Sequence, residues 1–263
     1  VQSLSALVMI FFMVLYAVGQ FKAGATVWYA VTGLPAIWCL LLSGIIVFVY
    51  MVVGGYTGTQ WSLALQGALL GIACFVLGIA ALVFVGGPSS LNAMLSSQDP
   101  KLLALIRSDL PAKGNTQLFS SPAGVVATFF IFLTMATGFP HNVARFLGMR
   151  KLTKKDFSLI TLMVFLVAGP PIFLNAITGL ASRAVFGPEI LKIEPWKGDL
   201  AAPYLAMVAG GKPVTILYIT GVFAAALSTL SAMVMVMAGN ITRDIIHIWK
   251  PDISRTLLLK LTK

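Results

Sequence analysis

Six apolar runs, each close to the length of a membrane-crossing helix, constrain this chain more than any other feature. They cover about 4–20, 34–53, 63–85, 122–137, 157–181 and 213–239. Roughly twenty helical residues cross a hydrocarbon core, whereas barrel strands are about half as long and alternate in polarity. Hydrophobic residues make up 59% of the chain and charged residues only 10%. A soluble domain needs a denser charged coat to cover so much apolar surface, and a disordered chain would be far more polar. The expected fold is a single all-α polytopic membrane domain over residues 1–263, with the lipid bilayer as its partner.

The formal net charge is +10, from 18 basic and 8 acidic residues. Lys22 is the sole charge before Asp99. The other charges lie in short polar segments between apolar runs, which orients a membrane protein and does not form a nucleic-acid surface. The linker 145–156 carries Arg145, Arg150, Lys151, Lys154 and Lys155 beside Asp156, so it is expected in the cytoplasm. The 86–121 and 186–212 loops then face outward, and 54–62 forms a second cytoplasmic linker. Arg243, Lys250, Arg255, Lys260 and Lys263 end the chain on the inner side, against Asp244 and Asp252. The outer 186–212 loop carries Lys192, Lys197 and Lys212, so the linker leads it by five positive residues to three.

Cys39 and Cys74 both sit in apolar runs and are expected to be packing residues, not a disulfide or a four-ligand metal site. Asp99 and Pro100 suit the cap and first turn of a short surface helix to Arg107. The stretch 199–209 can lie along the outer interface with Tyr204 as an amphipathic anchor. Val1 stands where a start methionine would, and an apolar helix follows almost at once. The chain is expected to be an internal piece, or an incomplete reading, of a longer protein.

Several places break the plain pattern. Gly67 and Gly71 make a small-xxx-small pair that permits close helix contact. Gly138, Pro140 and Asn142 interrupt the fourth run, and His141 stands beside the interruption; a hydrogen-bonded structural histidine is the plainer reading and a proton carrier the sharper one. Pro170-Pro171 should kink the fifth run. Asn175, one turn on, is an amide at membrane depth that needs a partner. Ser228, Thr229 and Ser231 cluster in the sixth run beyond a row of alanines. Hydroxyls with a backbone carbonyl one turn earlier make a hard-oxygen site for a monovalent ion; back-bonding to the helix carbonyls is the bland alternative. No phosphate-binding loop, H-E-x-x-H, Cys-x-x-Cys or paired carboxylates are present, so no enzyme, cofactor or catalytic residue is expected. No Asp, Glu or Lys stands at the centre of a run, which disfavours a carboxylate relay.

Four motifs in this order resemble the sodium/solute symporter family. They are Phe11 to Gly24 (FFMVLYAVGQFKAG), the block Gly54, Gly55, Trp61 and Gln66, Gly138 to Phe146 (GFPHNVARF), and Ala224 to Ile245 (AAALSTLSA…NITRDI). Members are usually about twice this length, with about thirteen spans and a LeuT-like inverted repeat. By resemblance, the six spans correspond to core helices three to eight, and the remaining core helices of the same chain would be partners. The resemblance implies sodium ligands at the Ala225 carbonyl and the Ser228 and Thr229 hydroxyls. It implies solute contacts at Tyr16 and Gln20, with Thr128 and Thr134 added from their depth in the fourth run. Ser62 and Leu63 replace a Thr-Asp pair common in the family. Acetate-carrier-like members depart there too, so the resemblance leans towards a small monocarboxylate such as acetate or pyruvate. A proline or sugar carrier, or a non-transporting scaffold or sensor derived from a carrier, stays open. The implied place is a bacterial or archaeal inner membrane, with sodium as coupling ion.

Overall fold

Gly33 and Pro35 are the first strong helix breakers, and the first helix runs until it meets them. In the computed structural model, α1 covers Gln2–Thr32, and Gly33 closes it with φ 68° and its N–H on the Tyr29 carbonyl. The apolar run ends near residue 20, but nothing in the next twelve residues stops the hydrogen-bond ladder. Residues 1–109, 118–148, 151–193 and 196–262 are described. Arg150, Glu194 and Lys263 lie outside them, as do the side chains of Arg145, Lys197, Arg255 and Lys260. No strand occurs among the described residues, and six helical segments there are long and apolar enough to cross a membrane.

The second and third runs form one helical stretch, α2 (Ala36–Phe84). The expected linker at 54–62 is helical. A straight rod of this length would span roughly 70 Å, more than twice a hydrocarbon core. The stretch doubles back instead. Tyr16 packs into the cluster that holds Val47 and lines one cavity with Gly67, two residues a straight rod would keep about 30 Å apart. Gly54, Gly55 and Gly58 occupy the bend, where missing side chains let the backbone turn sharply.

Gly86-Gly87 ends α2, and Pro88 opens α3 (Pro88–Gln98), a helix the apolar pattern does not announce. Asp99 does cap the next turn, its carboxylate accepting from the Lys101 N–H at 2.9 Å. That turn is a 3-10 segment, Pro100–Leu103, and the chain is extended by Ala104, well before Arg107. Arg107 instead binds Asp109 through two hydrogen bonds of 2.9 Å and reaches Asp99 at 3.3 Å.

The fourth run splits. Helix α4 (Pro122–Gly138) starts at Ser121, whose hydroxyl accepts from the Gly124 N–H, and stops before Phe139, which is extended with ψ 131°. Proline forces this, because Pro140 crowds a helical residue before it. Helix α5 (Pro140–Leu147) follows, packs on α8 and is the main contact of α4. Helix α6 (Lys154–Phe186) opens with a reciprocal capping box between Thr153 and Asp156 and continues through Pro170-Pro171. Helix α7 (Ala201–Ala209) buries Leu205 and Ala206, and Tyr204 packs against a cluster holding Trp196 and Leu200. Helix α8 (Gly211–Gly239) runs into a π-helical turn, Asn240–Ile246, then α9 (His247–Trp249) and α10 (Arg255–Thr262).

Helix α8 is the hub, packing on both halves of α2 and on α1. Gly221 lets it approach α2 closely, facing Ala73 and the Leu69 carbonyl. Gly78 likewise lets α2 meet Leu174 of α6. A Cβ added at Gly67 would meet nothing within 4 Å and one at Gly71 only Pro171, at 4.0 Å, so the close small-residue approach falls elsewhere on the same helix. At one end, α3, α7 and the C-terminal part of α6 close over Ala81 and Val85. There Lys22 pairs with Asp199 at 2.6 Å, both about half exposed, which adds at most about 1 kcal/mol. At the other end Gln2 and Ser3 of α1 donate to Asp244 of the π turn.

Candidate functional site

Residues of three of the four motifs meet at one cavity of about 610 Å³ near the middle of α1 and α8, and Gly54, Gly55, Trp61 and Gln66 of the remaining motif are not among those that line it. Tyr16 comes from α1. Gln60, Leu63, Ala64 and Gly67 come from α2 just past its bend. Phe139, His141 and Asn142 come from the break between α4 and α5, and Ser228 and Thr229 from α8. Helical spacing explains the α2 set, because positions i, i+4 and i+7 share one face. The α4–α5 break explains the third set. It turns Phe139, His141 and Asn142 off the α4 axis, a geometry tolerated at membrane depth only beside protein or a cavity.

Aromatic stacking fixes one wall. Tyr16 stacks on Phe139 with ring centroids 4.9 Å apart and planes at 28°. His141 lies nearly parallel to both, 5.2 Å from Phe139 and 6.5 Å from Tyr16, and is only 7% exposed. Among the described residues, none that lines this cavity carries a formal charge at neutral pH with histidine neutral. The wall offers hydroxyls, amides and an imidazole.

On α8, the Ser228 hydroxyl donates to the Ala225 carbonyl at 2.7 Å. Ser231 is fully buried and donates to the Ser228 carbonyl at 3.0 Å. Tyr50 of α2 donates to the Leu227 carbonyl at 2.8 Å and ties the two helices together beside this patch. Ser228 and Ser231 therefore both bond back to carbonyls of their own helix. The same geometry juxtaposes two hard oxygens, Ala225 O and Ser228 Oγ, with Thr229 on the cavity wall next to them. Oxygens 2.7 Å apart are closer than two ligands of one ion sit, so an ion would replace this hydrogen bond with two ion–oxygen contacts. The donors are all neutral, which suits a monovalent cation. Among the described residues, no group of three His, Cys, Asp or Glu could hold a metal ion.

The solute candidates divide. Tyr16 is on the cavity wall, whereas Gln20 lies one helical turn further along α1 and is not among the lining residues. Thr128 is 8% exposed and donates to the Gly124 carbonyl at 2.8 Å. Thr134 donates to the Phe130 and Ile131 carbonyls, and neither threonine lines the cavity. Depth in a run predicts height along the membrane normal but not rotation about the helix. Gln60 and Phe139 were not readable as site residues, although Gln60 shares a helical face with Gly67. Asn175 opens instead onto a neighbouring apolar groove of about 910 Å³, with Tyr218 and Ala225, and accepts from the Cys74 thiol at 3.9 Å.

A family model described as the sodium:solute symporter family matches residues 1–260. Sodium/proline symporter 2 of Staphylococcus saprophyticus is 26% identical over 93% of this chain and 44% of its own length. The sodium/pantothenate symporter of Escherichia coli is 24% identical over 89% of this chain and 45% of its length. A monocarboxylic acid transporter of Corynebacterium glutamicum is 24% identical over 77% of this chain and 38% of its length. The chain thus spans less than half the length of these curated relatives.

Proposed function

Because the chain belongs to the sodium:solute symporter family, we propose that it serves sodium-coupled symport of a small organic solute across a cell membrane. The observation that supports this reading most is the convergence of Tyr16, the α4–α5 break and the Ser228–Thr229 patch on one uncharged polar cavity. Discontinuous helices at mid-membrane are where carriers of this architecture bind solutes and ions. Sodium is held by Ala225 O, Ser228 Oγ and Thr229 Oγ1, together with oxygens supplied by further parts of the whole protein. The solute sits against Tyr16 and Phe139. The lysines at 151, 154 and 155 face the cytoplasm.

The solute reading is finer. The relatives' names give proline, pantothenate and monocarboxylic acids, and these share a carboxylate. The cavity wall agrees with that class. It offers hydroxyl, amide and imidazole donors, and no carboxylate among its described residues to pair with an ammonium group. We infer a small monocarboxylate of the acetate or pyruvate kind. No chemistry on the solute is required. Sodium shifts the population of conformers that bind solute, and the coupling is reciprocal: each ligand raises the affinity of the other by the same factor.

The test is initial uptake of labelled pyruvate, acetate and proline by the whole protein in proteoliposomes, against sodium concentration at fixed membrane potential. Ser228→Ala and Thr229→Ala each remove one hard oxygen that a methyl group cannot replace. The loss is worth about 1–3 kcal/mol, so the half-saturating sodium concentration should rise by roughly one to two orders of magnitude. High sodium should partly restore uptake by mass action. Variants that keep the parent's half-saturating sodium concentration place the ion elsewhere.

A further inference from the structure

We propose that the polar cavity and the apolar groove beside it are two ends of one solute site, joined at Gly67, and that the groove takes the apolar tail of the carboxylate. This rests on the reading of the cavity as a carboxylate site. It adds which carboxylates bind best: those with an unbranched alkyl tail of several carbons, with acetate and pyruvate at the short end.

Gly67 of α2 lines both spaces, the cavity of about 610 Å³ and the groove of about 910 Å³. A Cβ added there would meet nothing within 4 Å, so the glycine leaves open a passage that a larger residue would fill. On α8 the join is as close. Ala225 lines the groove, and its carbonyl accepts at 2.7 Å from Ser228, which lines the cavity. Beyond Gly67 the groove runs between α2, α6 and α8. Leu70, Gly71, Phe75, Val167, Pro171 and Val222 give it apolar walls, and no charged residue lines it among the described residues. Gly71 is one turn past Gly67, roughly 6 Å along α2, and Cys74 roughly 10 Å. The polar groups of the groove gather around Cys74, whose thiol meets the Asn175 amide at 3.9 Å and which shares a packed cluster with Tyr218.

The two spaces sort the two ends of one molecule. A carboxylate that entered the apolar groove would give up its hydrogen bonds, whereas an alkyl chain gains by leaving water. Largely apolar walls with a few polar groups are the usual make of a small-molecule pocket. The tail carries no charge, so a sodium ion at Ser228 and Thr229 does not compete with it. Each methylene that becomes fully buried is worth up to about fourfold in affinity. A side chain at position 67 would displace the tail and not a neighbouring helix, because the space around its Cβ is open.

Two measurements test this on the whole protein. The first is competition of acetate, butyrate and hexanoate against labelled pyruvate bound to the protein in nanodiscs, at saturating sodium and pH 7, where all are anionic. From acetate to hexanoate the inhibition constant should fall by at least about tenfold. In Gly67→Val the ratio of the acetate constant to the hexanoate constant should shrink to within about twofold, whatever the absolute affinity. Gly71→Val blocks the groove one turn deeper, so butyrate should keep its gain over acetate and hexanoate should lose its gain over butyrate. A flat series in the parent, the result if another part of the whole protein fills the groove, overturns the proposal. So does a Gly67→Val variant that keeps the parent's ratio, the mark of simple partitioning into lipid, and so does a parent that binds none of these acids. The second measurement is photo-crosslinking by hexanoate carrying a diazirine near its tail end, read by mass spectrometry. Adducts should fall within 67–75 or 166–172, the α2 and α6 walls of the groove, and excess pyruvate should suppress them as excess hexanoate does. Adducts elsewhere, or adducts that pyruvate does not displace, overturn the proposal even if both variants fail to fold. Sodium-driven pyruvate uptake with a flat series leaves the symport reading standing and removes this one. A steep series, flattened by Gly67→Val, without sodium-driven uptake does the reverse.

Discussion

Replacing Gly221 with alanine tests whether the α2–α8 approach holds the site together. A Cβ built there would lie 2.6 Å from the Ala73 Cβ, 3.2 Å from the Leu69 carbonyl oxygen and 3.3 Å from the Leu70 Cα. Carbon atoms in contact prefer about 3.5–4.0 Å, so the helices must part by roughly 1 Å. The obstacles cannot rotate away, because two are backbone and the third is the first side-chain carbon. Overpacking of this kind costs about 1–3 kcal/mol. Gly221→Ala should therefore lower the unfolding midpoint of the detergent-solubilised protein, whether driven by heat or by denaturing detergent. The double variant Ala73→Gly/Gly221→Ala moves the methyl group from one helix to the other. It should recover most of the loss, short of the residual crowding at Leu69, because the helix-propensity changes of about 1 kcal/mol at the two positions cancel. If Gly221→Ala is neutral, the helices are not in contact there. If the double variant is no better than the single, Ala73 is not the obstacle and the reasoning fails.

Two further outcomes follow from the loop and the ends. In the 86–121 loop, hydrogen bonds from Arg107 hold the Asp109 carboxyl down at about 2, from an ordinary value near 4. A depressed value means the pair favours the folded loop fully above the unfolded value and loses that contribution as pH falls through about 2; amide-exchange protection around Arg107 should thus hold from pH 7 to pH 4 and drop only below about 3. In a background with Cys39 and Cys74 replaced by alanine, Lys101→Cys should react with an impermeant thiol reagent in intact cells and Lys151→Cys should not; the reverse pattern overturns the orientation.

What the residues determine alone is everything that depends on one dimension of the chain. Six apolar runs of membrane length, the caps at Asp99, Ser121 and Thr153 and the break at Pro140 are local. They follow from the bilayer's lack of hydrogen-bonding partners and from the missing N–H of proline. The hydroxyl patch Ser228–Thr229, the carbonyl at Ala225 and the aromatic Tyr16 were readable for the same reason, once the motif order was recognised. Rotation and proximity were not. Gly67 and Gly71 have the spacing of a contact pair, but Gly221 and Gly78 make the close approaches, because contact needs a facing helix and no spacing within one helix specifies it. Thr128 and Thr134 lie in the expected run yet are not among the residues that line the cavity. Gln60 reaches the cavity only because α2 doubles back and returns past Tyr16, and Phe139 and His141 stack on Tyr16 only because the break turns them off the α4 axis. In an almost uniformly apolar helix, every face is equally content in lipid. Polarity then cannot say which face turns inward, and the packing of one helix against the next decides it.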